Sequence, residues 1–322
     1  MLIKKICDTK WKTVYYFSYL LYNTNINGGA IVHNKDMGLT SKFGLKRMNI
    51  FHKKYKIGLC LSGGGTRGFA HLGAFKAFED YGIKFDAVAG ASAGSLFGAL
   101  YASGLKYEQI YEMSKQVKQS DFIKQKFGIL PSSMDLLSET LNKVLPIKRI
   151  ENLKIPYYAV AVDLKTGKQV VFNTGKLDSV IAGSCAIPGV FLPVKYRDMT
   201  LIDGGVRNNV PSDVLYKNGC DFVITIDCNS TRGGGTESNK LWTQFVTSIG
   251  IMMVNNSKQG LMWSDLVIAP DMARFNSLKL ENKDEMIQAG YDAVVKAMPE
   301  IEKIFLGKHK RKWIDKRKQQ IW

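Results

Sequence analysis

The chain has 322 residues, of which 45% are hydrophobic, and 45 basic against 28 acidic residues give a net charge of +17. This length can bury a sizeable core, and we expect one large α/β domain. The charge is concentrated at the ends, because residues 1–56 carry +9 and residues 308–318 carry +6, which leaves +2 between them. Since the basicity belongs to the termini, the composition argues against a nucleic-acid-binding domain.

The five cysteines are odd in number, include no Cys-x-x-Cys pair and mostly lie in apolar surroundings. This pattern is typical of buried thiols in a reducing compartment and excludes a disulfide or zinc framework. We therefore expect a cytoplasmic protein.

Residues 1–55 differ from the rest and are predicted to be an extension, poorly ordered or outside the native start. Four lysines precede an apolar stretch at residues 14–22, which superficially fits a signal peptide or an anchor. The stretch is rich in tyrosine, no Ala-x-Ala site follows it, and it is about half the ~20 residues that a membrane helix needs. An alternative start is Met48, since the first predicted strand follows soon after it.

That strand, at residues 56–61, ends in Ser-Gly-Gly-Gly-Thr-Arg-Gly. Three consecutive glycines, Gly63, Gly64 and Gly65, let the backbone approach a substrate closely and turn its N–H groups inward, as an oxyanion hole requires. Helical spacing follows and predicts a helix that stops at Gly82.

A Gly-x-Ser-x-Gly sequence at residues 90–94 joins a second apolar run to another helical segment and predicts a nucleophile elbow. Such a turn lifts Ser92 clear of the backbone, and Gly90 and Gly94 leave room for it. The helix that follows offers free N–H groups, that of Ala93 first, and a positive dipole end beside any oxyanion. Taken alone, the pentapeptide also fits an ordinary turn with a serine N-cap.

The glycine loop also satisfies a dinucleotide fingerprint, because Gly63-x-Gly65-x-x-Gly68 follows a strand and opens a helix. A ribose-binding acid should then stand at the end of the second strand, whereas Asp86 lies at its start. The hydrolase interpretation is therefore favoured, and dinucleotide binding is the alternative.

The remaining elements alternate between helices and strands. Helices are predicted at 107–117, 134–145, 240–258 and 282–298, strands at 155–162, 169–172, 221–227 and 266–269, and a glycine-rich loop at 231–238. The alternation predicts a three-layer α/β/α sandwich with a mostly parallel central sheet.

An acid follows a short apolar run in Leu-Ile-Asp-Gly-Gly at residues 201–205. Asp203 stands at a predicted strand end before a glycine turn, from which its side chain can reach across a site. An isolated Asp-Gly-Gly also fits a turn capped by its own side chain.

In combination, these three motifs resemble the patatin-like phospholipase family over about residues 56–300, and the segments 68–73 and 182–191 are similar to those of bacterial members. The resemblance implies a patatin-like fold and a Ser–Asp dyad, with Ser92 as nucleophile and Asp203 as proton acceptor. The implied oxyanion-hole and supporting motif residues are Gly63, Gly64, Gly65, Ala93, Arg67, Gly68, Gly90, Gly94, Gly204 and Gly205.

The histidines favour a dyad without reference to the family. In ordinary α/β hydrolases the catalytic histidine follows the acid in the chain, and only His309 follows Asp203. His309 lies in a charge run that we expect to be solvated. His71 follows the glycine loop, where a packed or supporting role is expected.

The sequence thus predicts an esterase that cleaves fatty acyl esters of lipids without a metal or organic cofactor. The alternative is a non-catalytic lipid-binding or scaffolding protein on the same fold. Domain boundaries are predicted at 1–55, 56–300 and 301–322, and the last segment is a basic tail that includes Trp313 and Ile314. We expect this tail to contact an anionic membrane surface peripherally, with no nucleic-acid partner, and the oligomeric state stays open.

Overall fold

A computed structural model describes residues 55–115, 132–229 and 239–306. Within these ranges, eight strands form one sheet. The strands are β1 (Ile57–Leu61), β2 (Ala87–Ala91), β3 (Tyr157–Asp163), β4 (Lys168–Phe172), β5 (Val194–Tyr196), β6 (Met199–Asp203), β7 (Phe222–Ile226) and β8 (Leu266–Ile268). The helices are α1 (Phe69–Asp80), α2 (Ala93–Ala102), α3 (Tyr107–Lys115), α4 (Asp135–Val144), α5 (Leu177–Ser184), α6 (Ser212–Lys217), α7 (Leu241–Asn255), α8 (Ser257–Leu261) and α9 (Lys283–Phe305).

The strand order is β5-β6-β3-β2-β1-β7-β8, with β4 also paired to β3. The neighbouring strands β3, β2, β1, β7 and β8 are parallel to one another. Strands β4 and β6 are antiparallel to β3, and β5 is antiparallel to β6. The sheet is therefore mixed with a parallel centre, and β3 and β4 form the predicted hairpin. The α/β class inferred from the alternating pattern is confirmed.

Helices cover both faces of the sheet, which explains why every residue of β1 is buried. Cys60 of β1 clusters with Leu215 of α6 on one face. On the other face, Leu61 packs beside Gly98 of α2. Because successive side chains of a strand point to opposite faces, a strand covered on both sides must be apolar throughout, as this one is.

The strand register brings two loop ends together. Strand β2 runs parallel to β3 and ends with Ala91 opposite Val160. Strand β6 runs antiparallel to β3 and ends with Asp203 opposite Ala161, the next residue of β3. The two strands therefore approach each other end to end along β3, so that the residue after β2 lies beside the last residue of β6.

Helix α9 continues beyond the predicted end at residue 298 and passes through Pro299. Ile301 and Ile304 are both buried, so packing of the apolar side chains extends the helix past the proline. Helices α5 and α6 are short and were not predicted. The predicted loop at 231–238 and the two terminal segments outside 55–306 lie outside the described residues, and the domain boundaries stay predictions. No helix in the described ranges is both long enough and apolar enough to cross a membrane.

Candidate active site

Ser92 occupies the sharp turn between β2 and α2. Its backbone has φ 52° and ψ −127°, a strained conformation for a residue with a Cβ, and its side chain is almost fully buried. A Cβ at Gly90 would collide with the carbonyl of Gly94, and one at Gly94 would collide with the carbonyl of Leu61. Both glycines of the pentapeptide are therefore required for this turn, which has the geometry of a nucleophile elbow.

Ser184, the last residue of α5, holds the elbow in place. Its hydroxyl accepts the backbone N–H of Ser92 at 3.0 Å and donates to the carbonyl of Val160 at 2.6 Å. On the other side of the turn, the Ser95 hydroxyl donates to the carbonyl of Ser92 at 2.7 Å. Sequence reasoning assigned no role to Ser184; the only signal was its place in the segment 182–191.

Asp203 is completely buried at the end of β6. Its Oδ1 accepts the backbone N–H of Gly205 at 2.8 Å, while its own N–H donates to the carbonyl of Ala186 at 3.0 Å. Burial raises the pKa of this carboxyl from 3.8 to about 7, and the Ser92 hydroxyl and the Gly205 N–H offset part of that rise. The acid and the serine predicted from separate motifs are thus brought together.

The contact between the two side chains is looser than a regular hydrogen bond. Oδ2 of Asp203 is buried, and no group of the described residues reaches it with regular hydrogen-bond geometry, although the Ser92 hydroxyl is close enough to lower the pKa of the carboxyl. Such contacts are often long in a free enzyme and tighten when substrate binds.

The three glycines of the loop after β1 are not equivalent. The N–H of Gly63 donates to the carbonyl of Asn209 at 3.0 Å, and its carbonyl accepts the side-chain amide of Asn229. The N–H groups of Gly64, Gly65 and Ala93 make no hydrogen bond to the described residues. Gly63 therefore anchors the loop, whereas the other three amides are the candidate oxyanion donors.

Arg67 and its neighbour Thr66 attach the loop to residues 275–277. The Arg67 guanidinium donates from Nε and Nη2 to the carbonyl of Phe275, at 2.8 and 2.6 Å. Thr66 donates from its backbone N–H to the carbonyl of Ser277 at 2.9 Å. Arg67 is buried, and its two hydrogen bonds to Phe275 help to fix the shape of the loop.

His71, in α1, contacts the backbone at the start of the same loop. One ring nitrogen lies 2.9 Å from the carbonyl of Ser62, and the ring is fully buried. Burial lowers the pKa of His71 to about 4, so the imidazole is neutral near pH 7. His309 lies outside the described residues. In the described part of the chain, no three His, Cys, Asp or Glu side chains cluster as metal ligands.

Fold and site together define an α/β protein in which a strand-to-helix serine faces a buried aspartate. Residues 59–216 match the sequence model of the patatin-like phospholipase family. The chain therefore carries a domain of that family, and the resemblance seen in the motifs is confirmed.

Two curated relatives place this match among larger proteins. An uncharacterized NTE family protein of Mycobacterium tuberculosis is 33% identical over 185 residues, which are 56% of this chain and 51% of that protein. Lysophospholipase NTE1 of Meyerozyma guilliermondii is 25% identical over 328 residues, 89% of this chain and 22% of that protein. The chain thus spans about half of the first relative and less of the second.

The fold is also found in a solved structure. The crystal structure of VipD from Legionella pneumophila superposes with a TM-score of 0.51 and 14% identity, and the match covers 80% of this chain and 67% of that one. At this identity the likeness shows the fold alone.

Proposed function

We propose that this chain is a serine acyl hydrolase that cleaves fatty acyl esters of lipids through a Ser92–Asp203 dyad. The observation that carries the proposal is the buried carboxyl of Asp203, whose pKa of about 7 suits a general base, beside a serine held on an elbow. Family membership supports lipid esters as the substrate class, and the name of the Meyerozyma relative favours lysophospholipids among them.

In the first half of the reaction, Ser92 Oγ attacks the ester carbonyl carbon while Asp203 accepts the hydroxyl proton. The tetrahedral intermediate carries its negative charge on the former carbonyl oxygen. In this proposal the N–H groups of Gly64, Gly65 and Ala93 stabilise the oxyanion, together with the positive end of the α2 dipole. Support comes from these three amides making no hydrogen bond to the described residues. Collapse breaks the ester C–O bond, and the leaving alcohol takes the proton from Asp203.

The second half repeats these steps with water. Asp203 accepts a proton from the water that attacks the acyl-serine, the intermediate collapses, and the proton returns to Ser92 Oγ as the fatty acid leaves. His71 takes no part in this scheme, because its ring is buried and lies against the carbonyl of Ser62 and the thiol of Cys228. The full cycle uses groups of this chain and water alone.

The test compares Ser92→Ala and Asp203→Asn with the wild-type chain on a short-chain p-nitrophenyl ester and on lysophosphatidylcholine. Asp203→Asn should lose about 10²–10⁴-fold in rate, the usual contribution of a general base. Ser92→Ala removes the nucleophile and should lose at least as much. A matched control is Ser103→Ala, which removes a buried hydroxyl that bonds only to the carbonyl of Ala99. Full activity of Asp203→Asn would exclude the dyad.

A second readout separates the hydrolase from a lipid-binding protein on the same fold. A fluorophosphonate should label wild-type protein at Ser92 and leave Ser92→Ala unlabelled, because it forms a covalent bond only with an activated serine. Lipid binding without labelling and without hydrolysis would favour the non-catalytic alternative.

We further propose a cytoplasmic enzyme that contacts membrane peripherally. The basic tail predicted to make this contact lies outside the described residues, so its charge is the sole support for it.

A further inference from the structure

Helix α7 exposes its apolar side chains to solvent. The helix has 15 residues and contains no charged residue, and none of its residues is buried. Leu241 is 81% exposed, Met252 is 59% exposed and Phe245 is 47% exposed. The apolar face, as we call it below, comprises Leu241, Trp242, Phe245, Ile251 and Met252.

Helix α7 differs from an ordinary surface helix because its exposed side carries no charged residue. At about 100° per residue, Leu241, Phe245 and Met252 lie close together around the helix, and Trp242 and Ile251 lie on either side of them. The other exposed residues on this side are polar but uncharged: Gln244, Ser248 and Asn255. A helix of a water-soluble domain normally places charged residues on its outer stripe. Five large apolar side chains exposed on one uncharged side of a helix instead indicate an interaction surface.

This helix is attached directly to the candidate active site. Its last turn packs on the turn after Asp203, where a Cβ built at Gly205 would lie 2.5 Å from Met253 Cε. Just past its end, the side-chain amide of Asn256 donates to the carbonyl of Val206 at 2.6 Å. Asn209, which accepts the N–H of Gly63, donates from its side chain to the Ser257 hydroxyl at 2.9 Å.

The first turn of α7 lies near the site as well. A Cβ at Gly189 would come within 2.7 Å of Phe245 and 3.3 Å of Trp242, whose rings stack on each other. Gly189 belongs to the loop that joins Ser184 of the elbow support to β5. The apolar face is therefore carried by a helix that contacts segments adjoining both Ser92 and Asp203.

We propose that the apolar face docks on the surface of a phospholipid bilayer and thereby presents lipid to Ser92. The inference rests on the proposed function for its substrate. Ser92 is only 3% exposed, so an acyl ester must leave its bilayer to reach the nucleophile. A face without charge beside aromatic rings fits the apolar and headgroup layers of a membrane, in which Trp and Phe side chains bury their rings.

This docking differs from the attraction expected of the basic tail. Burial of apolar side chains does not require anionic lipid and persists when salt screens charges, whereas the attraction of lysines and arginines weakens with salt. The two modes can therefore be separated by lipid composition and ionic strength.

The experiment measures cosedimentation of full-length Ser92→Ala protein with phosphatidylcholine vesicles, so that hydrolysis cannot alter the lipid. Binding should persist at about 1 M salt, where the Debye length is only about 3 Å. Adding Leu241→Glu and Met252→Glu should lower the partition by about tenfold or more, because two apolar contacts are replaced by charges. Leu164→Glu is the matched control, since Leu164 is 52% exposed in the β3–β4 turn, and it should bind like the parent.

Circular dichroism and thermal melting of each variant establish that it is folded before its binding is compared. Unchanged binding of the folded double variant would overturn the proposal, as would absence of binding to phosphatidylcholine. A dimer that the double variant converts to monomer would also overturn it, because the apolar face would then be a subunit interface. If binding depends on the apolar face but a fluorophosphonate does not label the wild-type protein at Ser92, docking stands and the proposed hydrolase fails.

Discussion

The hydroxyl of Ser184 accepts the backbone N–H of Ser92 over 3.0 Å and at the same time donates to the carbonyl of Val160 in the neighbouring strand β3. One buried side chain thus satisfies two backbone groups, one on the elbow and one on the strand along which β2 and β6 meet. The positions of Ser92 and of Asp203 relative to each other depend on this link, because β2 and β6 end opposite adjacent residues of β3, Val160 and Ala161.

We predict that Ser184→Ala lowers kcat on a soluble ester while KM changes little. The variant leaves the N–H of Ser92 and the carbonyl of Val160 buried without partners, which costs about 1–3 kcal/mol each and allows the strained turn to relax. Kinetics with Ser103→Ala as control checks this, since that variant also loses a buried serine hydroxyl but not one bonded to the elbow. An equal fall in kcat for both variants would show a general loss of stability and not a positioning effect.

The pH dependence of the rate should report Asp203. A general base works only when ionised, so kcat/KM should rise with pH through a limb near the pKa of about 7. His71 should contribute no limb in this range, because burial lowers its pKa to about 4. A pH–rate profile from acid to mildly alkaline conditions measures this directly.

Asp227 provides the control for that profile. It is the last residue before the turn after β7, it is buried, and burial also raises its pKa. Its Oδ1 accepts the N–H of Asn229, and a hydrogen bond from Ser62 lowers its pKa, so it supports the loop after β1. Asp227→Asn should keep the limb near 7 even if the rate falls. Loss of the limb in Asp227→Asn would transfer the role of base to Asp227.

The buried carboxyl of Asp203 should also cost stability in a pH-dependent way. Its pKa is higher in the folded chain than the unfolded value of 3.8, so the folded state binds the proton more tightly and stability falls as pH rises from about 4 to about 7. The rise corresponds to roughly 4 kcal/mol at full ionisation. Asp203→Asn removes this penalty while its side-chain oxygen can still accept the Gly205 N–H.

Urea unfolding at about pH 8 and about pH 4 checks this prediction. We expect Asp203→Asn to raise the free energy of unfolding at the higher pH and to have little effect at the lower one. A stability gain that is equal at both pH values, or a loss at the higher pH, would contradict the raised pKa.

The sequence predicts the features of the fold and site that depend on residues close together in the chain, and it misses those that depend on distant ones. The elbow and the first strand–loop–helix unit were predicted because their chemistry is local: glycines beside a serine, and an apolar run before a glycine loop. From the residues alone Asp203 was predicted as an acid at a strand end, and only the resemblance to the patatin-like family paired it with Ser92. Its position beside Ser92 depends on β6 running antiparallel to β3, which no local pattern indicates.

The features that escaped prediction are held by distant partners. Ser184 is 92 residues from the Ser92 amide that it accepts, and Arg67 is 208 residues from the Phe275 carbonyl to which it donates. The three glycines of the loop look alike in sequence, yet of these only Gly63 donates its N–H to the carbonyl of Asn209. Such differences arise from register and packing, and they decide which of the predicted donors is free for an oxyanion.

The last prediction concerns the basic tail, for which the sequence offers charge but the described residues offer no geometry. Its basic residues are Lys308, Lys310, Arg311, Lys312, Lys316, Arg317 and Lys318. Each basic side chain near an anionic surface contributes about 1 kcal/mol at best, so the tail can attract the chain to anionic vesicles at low salt. Deleting residues 308–322 should therefore weaken cosedimentation with vesicles that contain phosphatidylserine.

The salt dependence gives the decisive comparison with the apolar face of α7. Raising the salt from about 0.1 M to about 1 M shortens the Debye length from about 10 Å to about 3 Å, which should abolish the contribution of the tail. At high salt the deletion variant and the parent should then bind equally, while the Leu241→Glu and Met252→Glu substitutions should still reduce binding. If the deletion changes nothing at low salt, the tail is only a solvated charge run; the opposite result makes it a second, electrostatic contact with the membrane surface.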